Sequence, residues 1–172
     1  MLRLQGKHIK LRALEPEDLD LLERWENTTE NWQYSQQQVP FSRHILKAYL
    51  AQAHQDIYEA KQLRLVIERD GRAIGLVDLY DFDFNNRRAG IGILIGAVED
   101  RRQGNAQEAL QILIDYAQKA FDLKQLYASI GAYNTASLKL FKATGFKEIG
   151  VRAQWFRQEK NWEDEHLLQL IF

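Results

Sequence analysis

Residues Ala89 to Phe121 read AGIGILIGAVEDRRQGNAQEALQILIDYAQKAF. The run Ile91 to Ile95 is short, apolar and rich in β-branched residues, which suits a buried strand. A polar turn follows, Glu99-Asp100-Arg101-Arg102-Gln103-Gly104. Beyond it, Ala106, Ala109, Leu110, Leu113, Ile114, Ala117 and Phe121 recur at three- and four-residue spacings, so they share one face of a helix. The first turn of such a helix leaves backbone N–H groups without internal partners. With the positive end of the helix dipole these donors form a seat for an anion, and phosphate is the usual occupant. Gly104 permits close approach of backbone to ligand, and Arg101 and Arg102 bring positive charge. The turn is no P-loop, because the Gly-Lys-Ser/Thr ending is missing. It also lacks the Gly-x-Gly-x-x-Gly of a dinucleotide fold. Taken alone, a strand–turn–helix of this kind is equally a βα unit whose glycine serves only the turn.

The remaining chain places this unit in a mixed fold. With 172 residues, 45% of them hydrophobic and 27% charged, the chain has the length and composition of one globular domain, residues 1–172. A formal net charge of −1 gives no general reason to bind nucleic acid or an anionic membrane. No apolar run approaches the roughly 20 residues needed to span a bilayer, and the start of the chain has no signal-peptide core. There is no cysteine, and His8, His44, His54 and His166 show no metal-ligand spacing. The expectation is a cytoplasmic protein without a metal.

His8 to Leu14 alternates as a strand. Glu15-Pro16-Glu17-Asp18 opens a helix on whose faces Leu19, Leu22 and Trp25 or Glu26 fall. Asn27 to Gln38 reads as a loop. Ser42 caps a second helix that runs to about Ala60, with Ile45, Leu46, Tyr49, Leu50 and Ala53 inward. Leu63–Glu68 and Ala73–Tyr80 are strands joined at Asp70-Gly71, a strong hairpin signal. Asp81 to Arg88 is a second turn. Gln125–Ile130 is a strand, Asn134–Thr144 a short helix closed by Gly145, and Phe146–Arg157 and Glu165–Ile171 a final antiparallel pair. The order β-α-α-β-β-β-α-β-α-β-β is an α+β pattern.

Several ordered features now converge on one family. Arg101-x-x-Gly104-x-Ala106 resembles the Gln/Arg-x-x-Gly-x-Gly/Ala signature of the GNAT superfamily of N-acetyltransferases, and stands between a core strand and a long helix as it does there. Further residues resemble the branch of ribosomal-protein N-terminal acetyltransferases and spermidine acetyltransferases. They are Ile9-x-Leu11-Arg12 with Asp18 and Trp25, Ile74-Gly75-Leu76, Gly92 to Gly96, Glu108-Ala109, Asn134-x-x-Ser137 and Gly145-Phe146. The resemblance covers nearly the whole chain. It implies a GNAT fold, a mixed central sheet of about seven strands with strands 4 and 5 parted, flanked by about four helices. Acetyl-CoA is implied as acyl donor, with its pyrophosphate over Arg101, Arg102, Gln103, Gly104, Asn105 and Ala106. Pantetheine would lie in the parting along Ile93, Leu94 and Ile95, with a backbone N–H near Leu94 facing the developing oxyanion. Asn134, Ser137, Leu140 and Phe141 would line the cofactor's path near the thiol.

The sequence departs from the family pattern twice. Many members carry a tyrosine at the position of Phe141, proposed to protonate the leaving thiolate, and many relatives of this branch carry a glutamate at the position of Gly90 as general base. Asp78, Tyr133 and Ser137 are the substitutes this sequence offers; water with substrate positioning alone is the further option. Trp32, Tyr34 and Asp83 are expected near the acceptor, a primary amine carried by a small molecule or a protein N-terminus. Trp155, Phe156 and Trp162 line a slot or cover core. A homodimer through the last two strands is open. The second function class is an acyl-CoA-binding sensor or interaction module without turnover, which the residues at 90 and 141 keep in view.

Overall fold

The alternating segments become seven strands: β1 (Lys10–Ala13), β2 (Gln62–Arg69), β3 (Arg72–Asp83), β4 (Arg88–Ile95), β5 (Gln125–Gly131), β6 (Lys147–Gln158) and β7 (Asn161–Ile171). They form one sheet in the order β1-β2-β3-β4-β5-β7-β6. Every neighbouring pair is antiparallel except β4–β5, which is parallel. The computed structural model describes residues 4–172 other than Gln36 and His54, so the spacing read for His54 lies outside the described residues.

The helices are α1 (Leu19–Glu26), α2 (Thr29–Ser35), α3 (Arg43–Ala51), α4 (Ile57–Ala60), α5 (Asn105–Phe121) and α6 (Thr135–Ala143). This is the α+β architecture that the resemblance implies, with six helices among the described residues in place of about four. The stretch read as a loop holds α2, whose polar sequence has no apolar period to reveal it. Tertiary hydrogen bonds hold it instead, because Asn31 and Trp32 cap α1. Asn31 Nδ2 donates to the Trp25 carbonyl at 3.2 Å and Trp32 Nε1 to the Glu26 carbonyl at 2.8 Å. The second predicted helix stops at Ala51 instead of running to Ala60. Asp56 restarts the chain as a new N-cap, its Oδ1 accepting from the Tyr58 N–H at 2.7 Å. Ser42 does cap α3, accepting from the Ile45 N–H at 3.2 Å, but Ile45 itself faces solvent at 54% exposure, as does Ala53 beyond the helix.

Asp70 and Gly71 both take positive φ, 51° and 77°, as a two-residue hairpin turn of the primed kind requires. The sheet carries apolar residues on both faces. Leu65, Ile67, Val77, Leu79, Ile91, Leu126 and Ala128 pack with Ala109, Leu110, Leu113, Ile114 and Ala117 of α5 and Phe141 of α6. On the opposite face Val66 and Leu76 pack with Leu22 and Trp25 of α1 and Leu46 of α3. Arg12 ties the first crossover to the sheet. Its Nη1 and Nη2 donate to Asp18 at 2.8 and 2.9 Å and its Nε to Glu68 at 2.8 Å. No helix among the described residues is long and apolar enough to cross a membrane.

Candidate active site

Strands β4 and β5 stay in register over only three pairs, Arg88↔Gln125, Ala89↔Leu126 and Gly90↔Tyr127. Beyond Gly90, β4 remains with β3 (Gly75↔Ile95 is the last pair) while β5 runs with β7. The sheet therefore splits as expected, and a cleft of about 430 Å³ fills the split. Ile91 to Leu94 and Ala128 to Gly131 line its two walls. The edge of β4 facing the split has no strand beside it, which is the condition for an extended ligand to pair with it.

After β4 the chain makes a short 3₁₀ turn, Val98–Asp100, and enters α5 through two left-handed residues, Arg102 at φ 60° and Gly104 at φ 79°. Gly104 is the N-cap of α5 and has no side chain to satisfy the first-turn donors. A Cβ built there meets no atom within 4 Å, so the space beside Gly104 is open. This is the turn whose first-turn donors the sequence reading offered to an anion, and its side chains point to different partners. Arg101 turns back, its Nη2 donating to Asn31 Oδ1 at 3.1 Å and to the Ile95 carbonyl at 3.3 Å. Its guanidinium serves α2 and the end of β4, and Arg102 is left as the exposed cation of the turn. Asn105 is buried and Gln103 exposed, and both are used structurally. Gln103 Nε2 donates to the Glu99 carbonyl at 2.6 Å and Asn105 Nδ2 to the Asp100 carbonyl at 3.3 Å.

The β2–β3 hairpin braces the same turn, a feature absent from the sequence reading. Arg69 Nη1 donates to Gln103 Oε1 at 2.8 Å and to Asn105 Oδ1 at 3.2 Å. Arg72 grips Asp100 with two bonds of 2.9 and 2.5 Å, and Asp100 is only 5% exposed. Those bonds hold the Asp100 carboxyl below its ordinary pKa. Two arginines from the adjoining hairpin thus hold the turn through Asp100, Gln103 and Asn105.

At the far wall Asn134 caps α6, its Oδ1 accepting from the Ser137 N–H at 3.2 Å. Both residues line the cleft together with Phe141, whose ring lies 5.1 Å from that of Phe146. Leu140 packs against the core rather than lining the cleft, as does Ile95, because their neighbours in sequence take the cleft-facing positions. Tyr133 lines the cleft, but its hydroxyl donates to the Gln33 carbonyl at 2.7 Å.

On the α1 side the cleft meets a cluster of charges. Arg64 and Asp78 are direct cross-strand partners, with Arg64 Nε donating to Asp78 Oδ1 at 2.7 Å and Nη2 to Oδ2 at 3.0 Å. Arg64 Nη1 also donates to Glu26 Oε1 at 3.2 Å. Burial pushes the Glu26 carboxyl above its ordinary pKa; Arg64 opposes that shift and the charge of Asp78 adds to it. Beside them Tyr80 lies over the bare backbone of β4. A Cβ on Gly90 would sit 2.3 Å from the Tyr80 ring. Burial pushes the Tyr80 hydroxyl up to about 12.

Of the residues expected at the acceptor, Tyr34 lines the cleft and its ring stacks at 6.5 Å on Tyr133. Trp32 does not line it, being turned under the end of α1. Asp83 is also away from the cleft, at the β3–β4 turn. Its Oδ1 and Oδ2 accept from the Asn86 N–H and Nδ2 at 2.9 and 2.8 Å, and Arg88 pairs with it at 3.0 Å. Phe156 lines the cleft, while Trp155 and Trp162 are 53% and 59% exposed. Glu26, Arg64 and Tyr80 escaped the sequence reading. Only the charge of Glu26 at the end of an apolar helix face and that of Arg64 within an apolar strand hinted at them.

The sheet thus splits beside its one parallel pair, and the glycine-capped first turn of α5 follows the strand that borders the split. The chain belongs to the GNAT acetyltransferase family: residues 8–147 match the family described as "Acetyltransferase (GNAT) domain". Spermidine N(1)-acetyltransferase of Escherichia coli (strain K12) is 29% identical over 142 residues, 83% of this chain and 74% of that protein. A Bacillus licheniformis protein described as "Uncharacterized N-acetyltransferase p20" is 26% identical over 171 residues, 98% of this chain and 95% of that one. Among solved structures, spermidine N-acetyltransferase from Vibrio cholerae in complex with CoA and spermine shares the fold, with a TM-score of 0.86 and 24% identity across 96% of each chain.

Proposed function

We propose that the protein transfers the acetyl group of acetyl-CoA to a primary amine of a small polyamine, by direct attack within a ternary complex. One observation carries this reading. A single cleft is bounded both by the open edge of β4 over Ile91 to Leu94, whose other edge pairs with β3, and by the charged cluster Glu26, Arg64 and Asp78. An acyl donor along β4 and an amine at the cluster would meet inside it, and holding two reactants in line removes a large part of the barrier to acyl transfer.

The diphosphate of the donor rests on the first turn of α5, over Arg102 to Ala106. Pantetheine follows Ile93 and Leu94, and the thioester ends near Asn134, Ser137 and Phe141. An N–H of the open β4 edge stabilises the oxyanion. The acceptor comes in between Tyr34, Tyr80 and Phe156. Two carboxylates against one guanidinium leave a net negative charge there, which favours a cation. The relatives described as spermidine acetyltransferases support the polyamine over a protein N-terminus. Asp78, clamped by Arg64, is a positioning residue in this scheme.

Thiol release from acetyl-CoA is the test, run with spermidine, spermine and a short unblocked peptide, with mass spectrometry of the products. Release with the polyamines and a product heavier by one acetyl group is expected. Binding of CoA without release across the panel overturns the proposal in favour of a binding module without turnover.

A further inference from the structure

We propose that Glu26 is the catalytic base of the transfer, the carboxylate that takes a proton from the acceptor's ammonium group before attack. This inference rests on the N-acetyltransferase reading above. Two carboxylates line the cleft, those of Glu26 and Asp78. They are held in different ways. Both oxygens of Asp78 sit in the fork of Arg64, at 2.7 and 3.0 Å, so protonating Asp78 breaks two charge-assisted bonds. Glu26 has one contact, Arg64 Nη1 on Oε1 at 3.2 Å, and its Oε2 has no partner among the described residues. Its side chain is 17% exposed, enough for an amine or a bridging water to reach it.

The position of Glu26 is rigid. The carbonyls of Trp25 and Glu26, which end α1, accept from Asn31 Nδ2 and Trp32 Nε1. The groups whose charge bears on Glu26 are Arg64 from β2, Asp78 from β3 and Tyr49 from α3, whose ring lies under Arg64 at 5.6 Å; Tyr80 lines the same cleft. Burial, with the charge of the nearby Asp78, raises the proton affinity of Glu26, and Arg64 opposes that rise. β4 itself carries no carboxylate, and at Gly90 a Cβ would lie 2.3 Å from the Tyr80 ring.

The reaction balances with this one base. The ammonium group gives a proton to Glu26, directly or through one water. The neutral nitrogen attacks the thioester carbonyl, forming the C–N bond. The C–S bond breaks, and the sulfur leaves with a second proton from the same nitrogen. The amide keeps the third, and Glu26 returns its proton to solvent. No acid is asked of Phe141.

The experiment compares pH profiles of kcat/KM for spermidine between the wild type, Glu26→Gln and Asp78→Asn, with the affinity for CoA measured for each. The wild-type value should climb on the acid side and level off once Glu26 is ionised. Glu26→Gln should bind CoA as the wild type does, fall about 100-fold near pH 7, and keep rising tenfold per pH unit toward the pKa of the amine, since only neutral amine then reacts. Asp78→Asn should retain the acid limb, moved to lower pH as Arg64 pairs fully with Glu26. A Glu26→Gln rate within threefold of the wild type with the same limb overturns the assignment. So does a limb lost in Asp78→Asn and kept in Glu26→Gln. No thiol release by the wild type with any amine overturns the proposed function itself, and this assignment with it.

Discussion

Gly104→Ala separates the conformational role of this residue from its role in the anion seat. Gly104 has φ 79° and ψ −6° at the N-cap of α5. Left-handed backbone costs an L-residue about 1–2 kcal/mol. No atom lies within 4 Å of the added methyl, so no clash adds to that cost. For a chain of 172 residues each kcal/mol lowers Tm by about 2–4 °C. The expected fall is therefore ~2–8 °C, with the fold retained. The methyl is added at the N-cap of α5, where the diphosphate is proposed to rest, so the affinity for CoA should weaken by about tenfold or more, which is roughly 1.4 kcal/mol. Titration calorimetry with CoA and with pantetheine, which has no diphosphate, isolates the effect. Pantetheine should bind alanine variant and wild type alike. Gly104→Asn sharpens the comparison, since asparagine tolerates left-handed backbone; its Tm should lie nearer the wild type while CoA binding is still weakened. An alanine variant with the predicted drop in Tm but a Kd for CoA within twofold of the wild type would place the diphosphate elsewhere.

Three further expectations follow from the contacts around the cleft. Gly90→Ala pushes a Cβ into the Tyr80 ring, at 2.3 Å, and should cost about 1–3 kcal/mol in chemical denaturation; in a Tyr80→Ala background the cost should nearly vanish, and additive losses would refute the contact. Arg72→Ala releases Asp100 and should raise KM for acetyl-CoA severalfold with kcat retained. Arg72 depresses the Asp100 pKa, so the pair's contribution is present above the unfolded carboxylate value of about 3.9 and is lost as pH falls through the folded one. The Tm of the wild type should accordingly drop more steeply below about pH 4 than that of Arg72→Ala, and parallel curves would contradict the pairing. Asn31→Ala removes the bond to the Trp25 carbonyl and the acceptor for Arg101, and should cost about 1–3 kcal/mol while raising KM for both substrates; an effect on the amine alone would separate α2 from the phosphate turn.

The strands, the long helix and the glycine-bearing turn were legible in the chain itself, because each depends on local rules. The apolar period of α5, the alternation in β2 and β3, and the Asp70-Gly71 turn are set by spacing and backbone sterics within a few residues. The family signature at Arg101, Gly104 and Ala106 was legible for the same reason: a main-chain anion seat needs particular residues at fixed offsets. α2 was not, since its polar residues carry no period and are held by bonds to α1. Nor was the assignment of side chains in the site. Arg101 looked like the phosphate's cation until the folded chain brought Asn31, 70 residues away, within reach, while Arg69 and Arg72 arrived at the same turn from another hairpin. Glu26, Arg64 and Asp78 are scattered along the sequence, and only the pairing of β2 with β3 under the end of α1 makes them one cluster. Sequence thus determined where an acyl donor's phosphates are expected to rest, because backbone geometry is local. Which carboxylates stand together at the cleft was decided by tertiary packing, because charge, burial and reach belong to neighbours distant in the chain.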